Sequence, residues 1–260
     1  MSLKVITMSE WQSLGKEPEI LFWVGSAGSF DERAKKITRA FVKILNKADV
    51  DFGVLGVEES SSGDAAKRAG NEFLFQMQAL MNIEILNNYN VKKIVTACPH
   101  SFNTLKNEYK RLGGKYEVLH HTEFIEELIE NGRFEIISNL NGKRITFHDP
   151  CYLGRANDIY DAPRKLIKRL GVELVEMKRS KNRSFCCGAG GGQMFKEPEK
   201  GNKDINIERT EDALAVKPNF IATGCPFCNT MMTDGIKNKE KENEIHVMDI
   251  AELIAQTQEL

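Results

Sequence analysis

Short apolar runs alternate along the chain with longer segments whose apolar residues recur at helical spacing. ILFWVG (20–25), KKIVTA (92–97) and RITFHD (144–149) are runs typical of buried strands. DERAKKITRAFVKILNKA (31–48) carries its apolar residues on one side of a helix. This alternation continues to the end of the chain, and it favours an α/β fold with parallel sheets covered by helices.

The two halves of the chain follow one plan. The pattern predicts first-half strands at 20–25, 51–57, 92–97 and 116–121, with helices over 31–48, 65–89, 99–112 and 122–132. It predicts second-half strands at 144–149, 172–177, 219–224 and 245–250, with helices over 162–171, 206–217, 226–239 and 251–258. We therefore expect two tandem, pseudo-repeated Rossmann-like βα domains with parallel sheets, 1–140 and 141–260.

A matching repeat of cysteine and serine runs through both halves, each time after a predicted strand. The second half carries a lone cysteine, a Cys-Cys-Gly and a Cys-x-x-Cys: Cys151, Cys186, Cys187, Gly188, Cys225 and Cys228. The corresponding first-half positions carry Ser26, Ser61, Ser62, Cys98 and Ser101. The first two marked positions are 35 residues apart in both halves (186 − 151 and 61 − 26). We interpret the first-half set as a degenerate copy of the second.

Composition and charge exclude several classes of protein. The 260 residues are 41% hydrophobic and 28% charged, as in globular proteins with a core. A net charge of −1 gives no basic field for nucleic acid, so no nucleic-acid partner is expected. The chain shows no signal-peptide run and no apolar stretch that could span a membrane, so we expect a cytoplasmic protein, at most peripheral to a membrane complex.

Six cysteines in a cytoplasmic chain indicate metal or redox chemistry rather than a disulfide framework. Adjacent Cα atoms lie about 3.8 Å apart, too close for a disulfide between Cys186 and Cys187, which needs about 4.4 Å. Structural zinc takes four tetrahedral ligands, so adjacent cysteines and a fifth thiol fit it poorly. An iron–sulfur cluster is larger and is favoured, while zinc and metal-free redox thiols at Cys225 and Cys228 remain open.

Residues around these cysteines have two interpretations each. Gly188, in CCGAGGGQ, would let the backbone approach a cluster and aim N–H groups at sulfur, or would only make a tight turn. A helix beginning at the Cys-x-x-Cys would favour thiolate there. His148 would hydrogen-bond a cluster sulfur or be a satisfied polar residue. A weaker zinc site in the first half would combine Cys98 with the nearby histidines His100, His120 and His121.

FHDPCYLGR, SFCCGAGGG and GCPFCNTMM resemble the cysteine-rich CCG domain found in the B and D subunits of heterodisulfide reductase and in related iron–sulfur oxidoreductases. The resemblance covers nearly the whole chain as tandem domains. It implies a non-cubane [4Fe–4S] cluster held by Cys151, Cys186, Cys187, Cys225 and Cys228. Serine oxygen is a poor substitute for thiolate on iron, so the first site should hold no cluster and the protein one.

The resemblance implies an iron–sulfur subunit of an oxidoreductase that transfers electrons or reduces a thiol/disulfide couple. Family members are thought to split a disulfide between two facing clusters, whereas this sequence predicts one. The chain has no CxxCxxCxxxC run and no dinucleotide fingerprint, so a ferredoxin-like iron–sulfur or flavin subunit is the expected partner. The alternatives are a zinc-bound or metal-free scaffold and an independent thiol–disulfide oxidoreductase.

Overall fold

The computed structural model describes residues 3–137, 140–197 and 200–258. The chain divides into two compact units, Met1–Phe134 and Glu135–Leu260. The division falls after Phe134, whereas the sequence pattern places the domain boundary after residue 140. Each unit contains a parallel sheet with helices between its strands, which confirms the α/β fold with two tandem Rossmann-like domains.

The first unit has a five-stranded sheet in the order β1-β3-β2-β4-β5. Its strands are β1 (Ile6–Thr7), β2 (Ile20–Trp23), β3 (Phe52–Val54), β4 (Lys93–Thr96) and β5 (Glu117–His120). Every neighbouring pair is parallel. β2 is buried along its whole length, because it lies at the centre of the sheet between β3 and β4. Its apolar run ILFW is what a strand covered on both faces requires.

The second unit has a four-stranded parallel sheet in the order β7-β6-β8-β9. Its strands are β6 (Arg144–Phe147), β7 (Glu173–Leu174), β8 (Phe220–Thr223) and β9 (His246–Asp249). Residues that follow β6 and β8 therefore emerge side by side at the carboxyl edge of the sheet, where open α/β sheets bind ligands.

Helices connect the strands in both units. The first unit contains α1 (Met8–Ser13), α2 (Gly25–Phe30), α3 (Ala34–Lys47), α4 (Asp64–Arg68), α5 (Glu72–Asn88), α6 (Pro99–Asn103) and α7 (His121–Glu130). The second contains α8 (Asp161–Arg169), α9 (Ile205–Leu214), α10 (Pro226–Asn238) and α11 (Ile250–Thr257). α3 shows the physical reason for these helices, since Ile37, Phe41 and Ile44 recur at helical spacing and are all buried.

The structure differs from the sequence pattern at several elements. The helix expected over 65–89 is broken between α4 and α5, where Gly70 has a φ of +83° and the Asn71 side chain caps α5. The helix expected over 99–112 begins as α6 and continues as a π turn (Thr104–Glu108) and a 3₁₀ turn (Tyr109–Leu112). The pattern missed β1, α1 and α2, which are short.

Within the described ranges, no helix is both long enough and apolar enough to cross a membrane.

Candidate metal centre

Cys151 lies in a tight turn just beyond β6. After Phe147 the chain continues through His148 and Asp149, and the carbonyl of Pro150 then accepts hydrogen bonds from the N–H groups of residues 153 and 154. Cys151 is half-buried within this turn. This cysteine therefore follows a strand closely, as the sequence predicts.

Cys186 and Cys187 lie in an irregular loop, and they do not directly follow a strand. β7 ends at Leu174, so the expectation that the pair comes just after its strand is wrong. The edge strand pairs for only two residues, and a loop carries the chain onward to the site. Gly188 has a φ of +93° and donates its N–H to the Cys186 sulfur at 3.3 Å. Only glycine adopts this backbone conformation without strain.

Cys225 and Cys228 stand at the start of α10. Cys225 is the N-cap residue, Pro226 occupies the first turn, and both cysteine side chains are buried. Proline suits the first turn because its missing N–H would have no partner there. The Cys-x-x-Cys therefore opens a helix, as the sequence predicts.

The structure brings the five second-half cysteines into one group of interacting sulfurs. The sulfurs of Cys187 and Cys228 lie 3.3 Å apart. Cys186 interacts with both Cys151 and Cys187, and Cys228 interacts with Cys225 as well as Cys187. Cys187, Cys225 and Cys228 also form an apolar cluster with Ala189, packed against Met194, Phe227 and Met231. The group is thus lined by sulfur and screened by apolar side chains.

One member of this group is stabilised as a thiolate. Hydrogen bonds from the Cys151 and Cys187 thiols, assisted by the Gly188 N–H, lower the pKa of Cys186 far below its ordinary value. Because the thiols of Cys151 and Cys187 donate these hydrogen bonds to Cys186, the pKa of each of the two is raised. At Cys228, hydrogen bonds to neighbouring thiols and burial raise the pKa, which opposes the thiolate expected at this helix N-terminus. A bound metal would have to displace these protons.

His148 joins the sulfur group from the end of β6. A ring nitrogen of His148 and the sulfurs of Cys187 and Cys228 all lie within 4.8 Å of one another. In the described part of the chain this is the single group of three potential metal ligands. Burial and the nearby charge of Arg209 lower the pKa of His148 to about 3, so its ring is neutral.

Arg209 is the residue of this site that sequence reasoning missed. It is fully buried on α9 and donates its Nε–H to Nδ1 of His148 at 3.0 Å. The available signal was its position in INIERTEDAL, four residues before Ala213 on the side of the helix that is buried. A charged residue on a buried helix face requires a specific partner.

The first unit repeats this geometry with oxygen in place of sulfur. The hydroxyls of Ser62 and Ser101, which correspond to Cys187 and Cys228, lie 3.4 Å apart. The N–H of Gly63 donates to Ser61 Oγ at 3.2 Å, as Gly188 does to Cys186.

The remaining first-half positions are less alike. Cys98 is buried at the N-cap of α6, where Cys225 stands on α10. Ser26 is exposed near the start of α2, whereas Cys151 is half-buried in a turn. The Gly25 backbone beside Ser26 nevertheless lies against this site, since a Cβ there would stand 3.6 Å from Ser101 Oγ.

The first-half histidines have other partners. His100 Nδ1 lies 2.9 Å from a carboxylate oxygen of Asp64, and His120 interacts with Thr122 and with His121. They form no group of metal ligands with Cys98 among the residues that the structure describes. The geometry of the described residues thus gives no support to the weaker zinc site in the first half.

Comparison with protein families identifies the domains. The family model for the cysteine-rich CCG domain matches residues 20–106 and again 145–233. These two ranges together account for more than half of the chain and contain every cysteine and serine position of the repeat.

Curated relatives carry names of iron–sulfur and related oxidoreductases. The chain is 51% identical over 98% of its length to a probable iron–sulfur-binding oxidoreductase, FadF, of Bacillus subtilis, covering 36% of that protein. It is 47% identical over 92% of its length to the EtfAB:quinone oxidoreductase of Syntrophomonas wolfei, covering 34%. It is 34% identical over 92% of its length to a subunit of the dihydromethanophenazine:CoB–CoM heterodisulfide reductase of Methanosarcina barkeri, covering 58%. The chain thus spans about a third to three fifths of these relatives.

Proposed function

Because the chain belongs to the family of proteins built from cysteine-rich CCG domains, we propose that it is an iron–sulfur subunit of a heterodisulfide-reductase-like oxidoreductase. It holds one non-cubane [4Fe–4S] cluster in the second unit. The ligands are Cys151, Cys186, Cys187, Cys225 and Cys228. The observation that carries this proposal is the convergence of five thiols, three of them buried, on one group, while the first unit has serine at four equivalent positions.

The donor set fits an iron–sulfur cluster better than a single ion. Five thiols exceed the four ligands of structural zinc, and the adjacent Cys186 and Cys187 fit poorly as two corners of one tetrahedron. When bound, the cluster supplies one-electron redox chemistry. The protein positions the five sulfurs, donates the Gly188 N–H to Cys186 and excludes water with the apolar wall around Phe227 and Met231.

The first unit holds no cluster in this proposal. A serine hydroxyl loses its proton far less readily than a thiol, so the Ser62 and Ser101 hydroxyls remain neutral and hydrogen-bond to each other. A mechanism that divides a disulfide between two clusters is therefore not available to this chain alone. Its single cluster serves electron transfer or one-electron steps of thiol/disulfide reduction.

The electrons come from a group held outside these 260 residues. The sequence has neither a ferredoxin-type CxxCxxCxxxC run nor a dinucleotide fingerprint. A ferredoxin-like iron–sulfur centre or a flavin, on another subunit or on the remainder of a longer chain, is the expected donor or acceptor. Relatives named as a heterodisulfide reductase subunit and a quinone oxidoreductase support this assignment. A cytoplasmic location remains a prediction.

One observation favours a second candidate, a zinc-bound scaffold without redox turnover. His148, Cys187 and Cys228 place one nitrogen and two sulfurs within 4.8 Å of one another, and Cys₂His is a ligand set that zinc accepts. The alternative therefore differs from the main proposal in the bound metal and in whether the protein takes up electrons.

A redox titration separates the two candidates. Protein purified without oxygen should show a thiolate-to-iron absorption band that dithionite reduces, with uptake of about one electron per chain, and air-free reoxidation should restore the band. An EPR signal should accompany reduction. Zinc at about one ion per chain, with no change on adding dithionite, would contradict the proposed function and support the scaffold.

A further inference from the structure

His148 and Arg209 form a buried pair beside the sulfur group. His148 is 1% exposed and Arg209 is fully buried. Arg209 Nε–H donates to Nδ1 of His148 at 3.0 Å, so the pair joins the end of β6 to the middle of α9. A ring nitrogen of His148 also lies within 4.8 Å of the sulfurs of Cys187 and Cys228.

Arg209 is held in place by the rest of its hydrogen bonds. One terminal nitrogen donates to the carbonyl of Arg179 at 2.7 Å and to the carboxylate of Asp212 at 3.2 Å. The other lies 3.4 Å from Ser184 Oγ, in the loop that leads to Cys186. The guanidinium is planar and its donors have a rigid arrangement, so these contacts determine the direction of its Nε–H.

This contact determines which histidine nitrogen carries the proton. Arginine only donates hydrogen bonds and keeps its charge in proteins. Nδ1 of His148 must therefore be the acceptor, and the ring proton of His148 must lie on Nε2. With Nδ1 used by an arginine and Nε2 protonated, the ring has no lone pair left for a metal.

We propose that His148 is a hydrogen-bond donor to the cluster sulfurs rather than a ligand, and that Arg209 is the positioning residue that sets its tautomer and adds a buried positive charge. The proposal rests on the proposed function, since it assumes a cluster in the second unit. Reduction adds one negative charge to the cluster. A donated N–H at sulfur and a nearby cation both stabilise that charge, so the pair raises the reduction potential.

The second unit contains another buried arginine, but its charge is compensated. Arg164 is hydrogen-bonded to both carboxylate oxygens of Asp149 and to Glu176. The Arg209 guanidinium, by contrast, pairs in the described part of the chain with Asp212, a carboxylate that also pairs with Arg179. Arg209 is thus a buried cation in direct contact with His148, beside the sulfur group.

The first test replaces His148. His148→Leu should keep iron and sulfide at the wild-type level but make reduction of the cluster at least tenfold less favourable, a fall of about 59 mV in the midpoint potential of a one-electron couple. His148→Gln, whose amide N–H can lie near the place of Nε2–H, should restore most of the potential. An unchanged potential in His148→Leu with full iron content would overturn the proposal.

The second test replaces Arg209 and includes a charge-matched control. Arg209→Met should lower the midpoint potential at least as far as His148→Leu does. Arg209→Lys keeps the charge but loses the Nε–H, so its midpoint potential should lie between those of Arg209→Met and the wild type. Arg144→Gln removes one positive charge from the opposite end of β6 and should leave the potential unchanged. If Arg144→Gln shifted the midpoint potential as much as Arg209→Met, the shift would be a general effect of charge, and the role assigned to Arg209 would be overturned.

A third measurement needs no variant and so does not depend on whether Arg209→Met folds. In wild-type protein with nitrogen-15-labelled histidine, pulsed EPR of the reduced cluster should detect a weak coupling to nitrogen and an exchangeable proton close to the cluster. Strong coupling, as for directly bound nitrogen, would make His148 a ligand and overturn the proposal. Wild-type protein without iron would instead refute the proposed function itself.

Discussion

Gly188 shows how a single residue contributes to the site. Its φ of +93° aims its N–H at the Cys186 sulfur, and a Cβ at this position would stand 3.3 Å from Ile205 and 3.4 Å from Met231. Gly192, four residues later in the same loop, also has positive φ (+76°), but a Cβ there would meet nothing within 4 Å. The two glycines therefore share a left-handed backbone conformation and differ in packing against the site.

Gly188→Ala should reduce both stability and iron retention. Strain in the left-handed region contributes roughly 1 kcal/mol, and contact with α9 and α10 adds to it. Gly192→Ala should lose only the stability that backbone strain costs, and it should retain its iron. Urea denaturation and iron content per chain measure the two effects. Equal iron loss in both variants would show that the site does not depend on the Gly188 backbone.

Sequence reasoning is reliable at this scale where residue type alone decides the chemistry. It groups the five second-half cysteines, because a lone cysteine, a Cys-Cys-Gly and a Cys-x-x-Cys in one half of a chain have few other uses than metal or redox chemistry. It does not find Arg209, since the spacing of four residues to Ala213 is a weak signal that an arginine on a mixed helix will be fully buried. It also leaves His148 undecided, because the role of this histidine depends on the hydrogen bond to its Nδ1.

At the scale of elements, the loop before α4 is tied to the start of α2 by one carboxylate. Glu59 accepts the N–H groups of Val24 and Gly25 at 3.0 and 2.5 Å. In the second unit the equivalent loops are joined differently, by Ser184 Oγ donating to the carbonyl of Asp149 at 3.2 Å. Both links hold the segment that follows β2 or β6 against the loop that carries the paired serines or cysteines.

The Glu59 link should make the stability of the first unit depend on pH. Burial raises the pKa of Glu59 from 4.5 to about 7, although the two N–H groups oppose this rise. The folded state therefore binds the proton more tightly than the unfolded state. The resulting stabilisation is complete below pH 4.5 and is lost as the pH rises through about 7.

Glu59→Gln should remove this dependence. Between about pH 5 and about pH 8, the wild type should lose roughly 1–3 kcal/mol of unfolding free energy relative to the variant. Urea denaturation followed by tryptophan fluorescence measures the first unit specifically, because both tryptophans of the chain, Trp11 and Trp23, lie in it. If the unfolding free energies of the two proteins changed in parallel with pH, that result would contradict the raised pKa of Glu59.

Strong apolar patterns predict their elements correctly, and elements without such patterns are missed. β2, β4, β6 and β8 are predicted because each is a short run of apolar residues at a buried position. β1 has only two residues, and α2 is GSAGSF, a segment that no helical periodicity distinguishes from a loop. β7 is predicted over six residues but pairs with β6 over two.

At the scale of the whole molecule, one fold is present twice with different chemistry. Each unit has its own parallel sheet, its own core and its own helix that begins at Cys-Pro. The positions of Ser61, Ser62 and Ser101 repeat those of the cysteines with hydrogen bonds of nearly the same length. The fold therefore accommodates serine at these positions, and in the function proposed above only the second unit holds a cluster.

The measurement that tests this account most directly is iron, sulfide and zinc per chain after anaerobic purification, in wild type and two matched variants. Cys187 and Cys98 are 3% and 5% exposed, so serine substitutions at the two positions are equally buried. The account predicts about four irons and four sulfides in wild type and in Cys98→Ser, and loss of most iron in Cys187→Ser. About eight irons, or equal loss in Cys98→Ser, would contradict it.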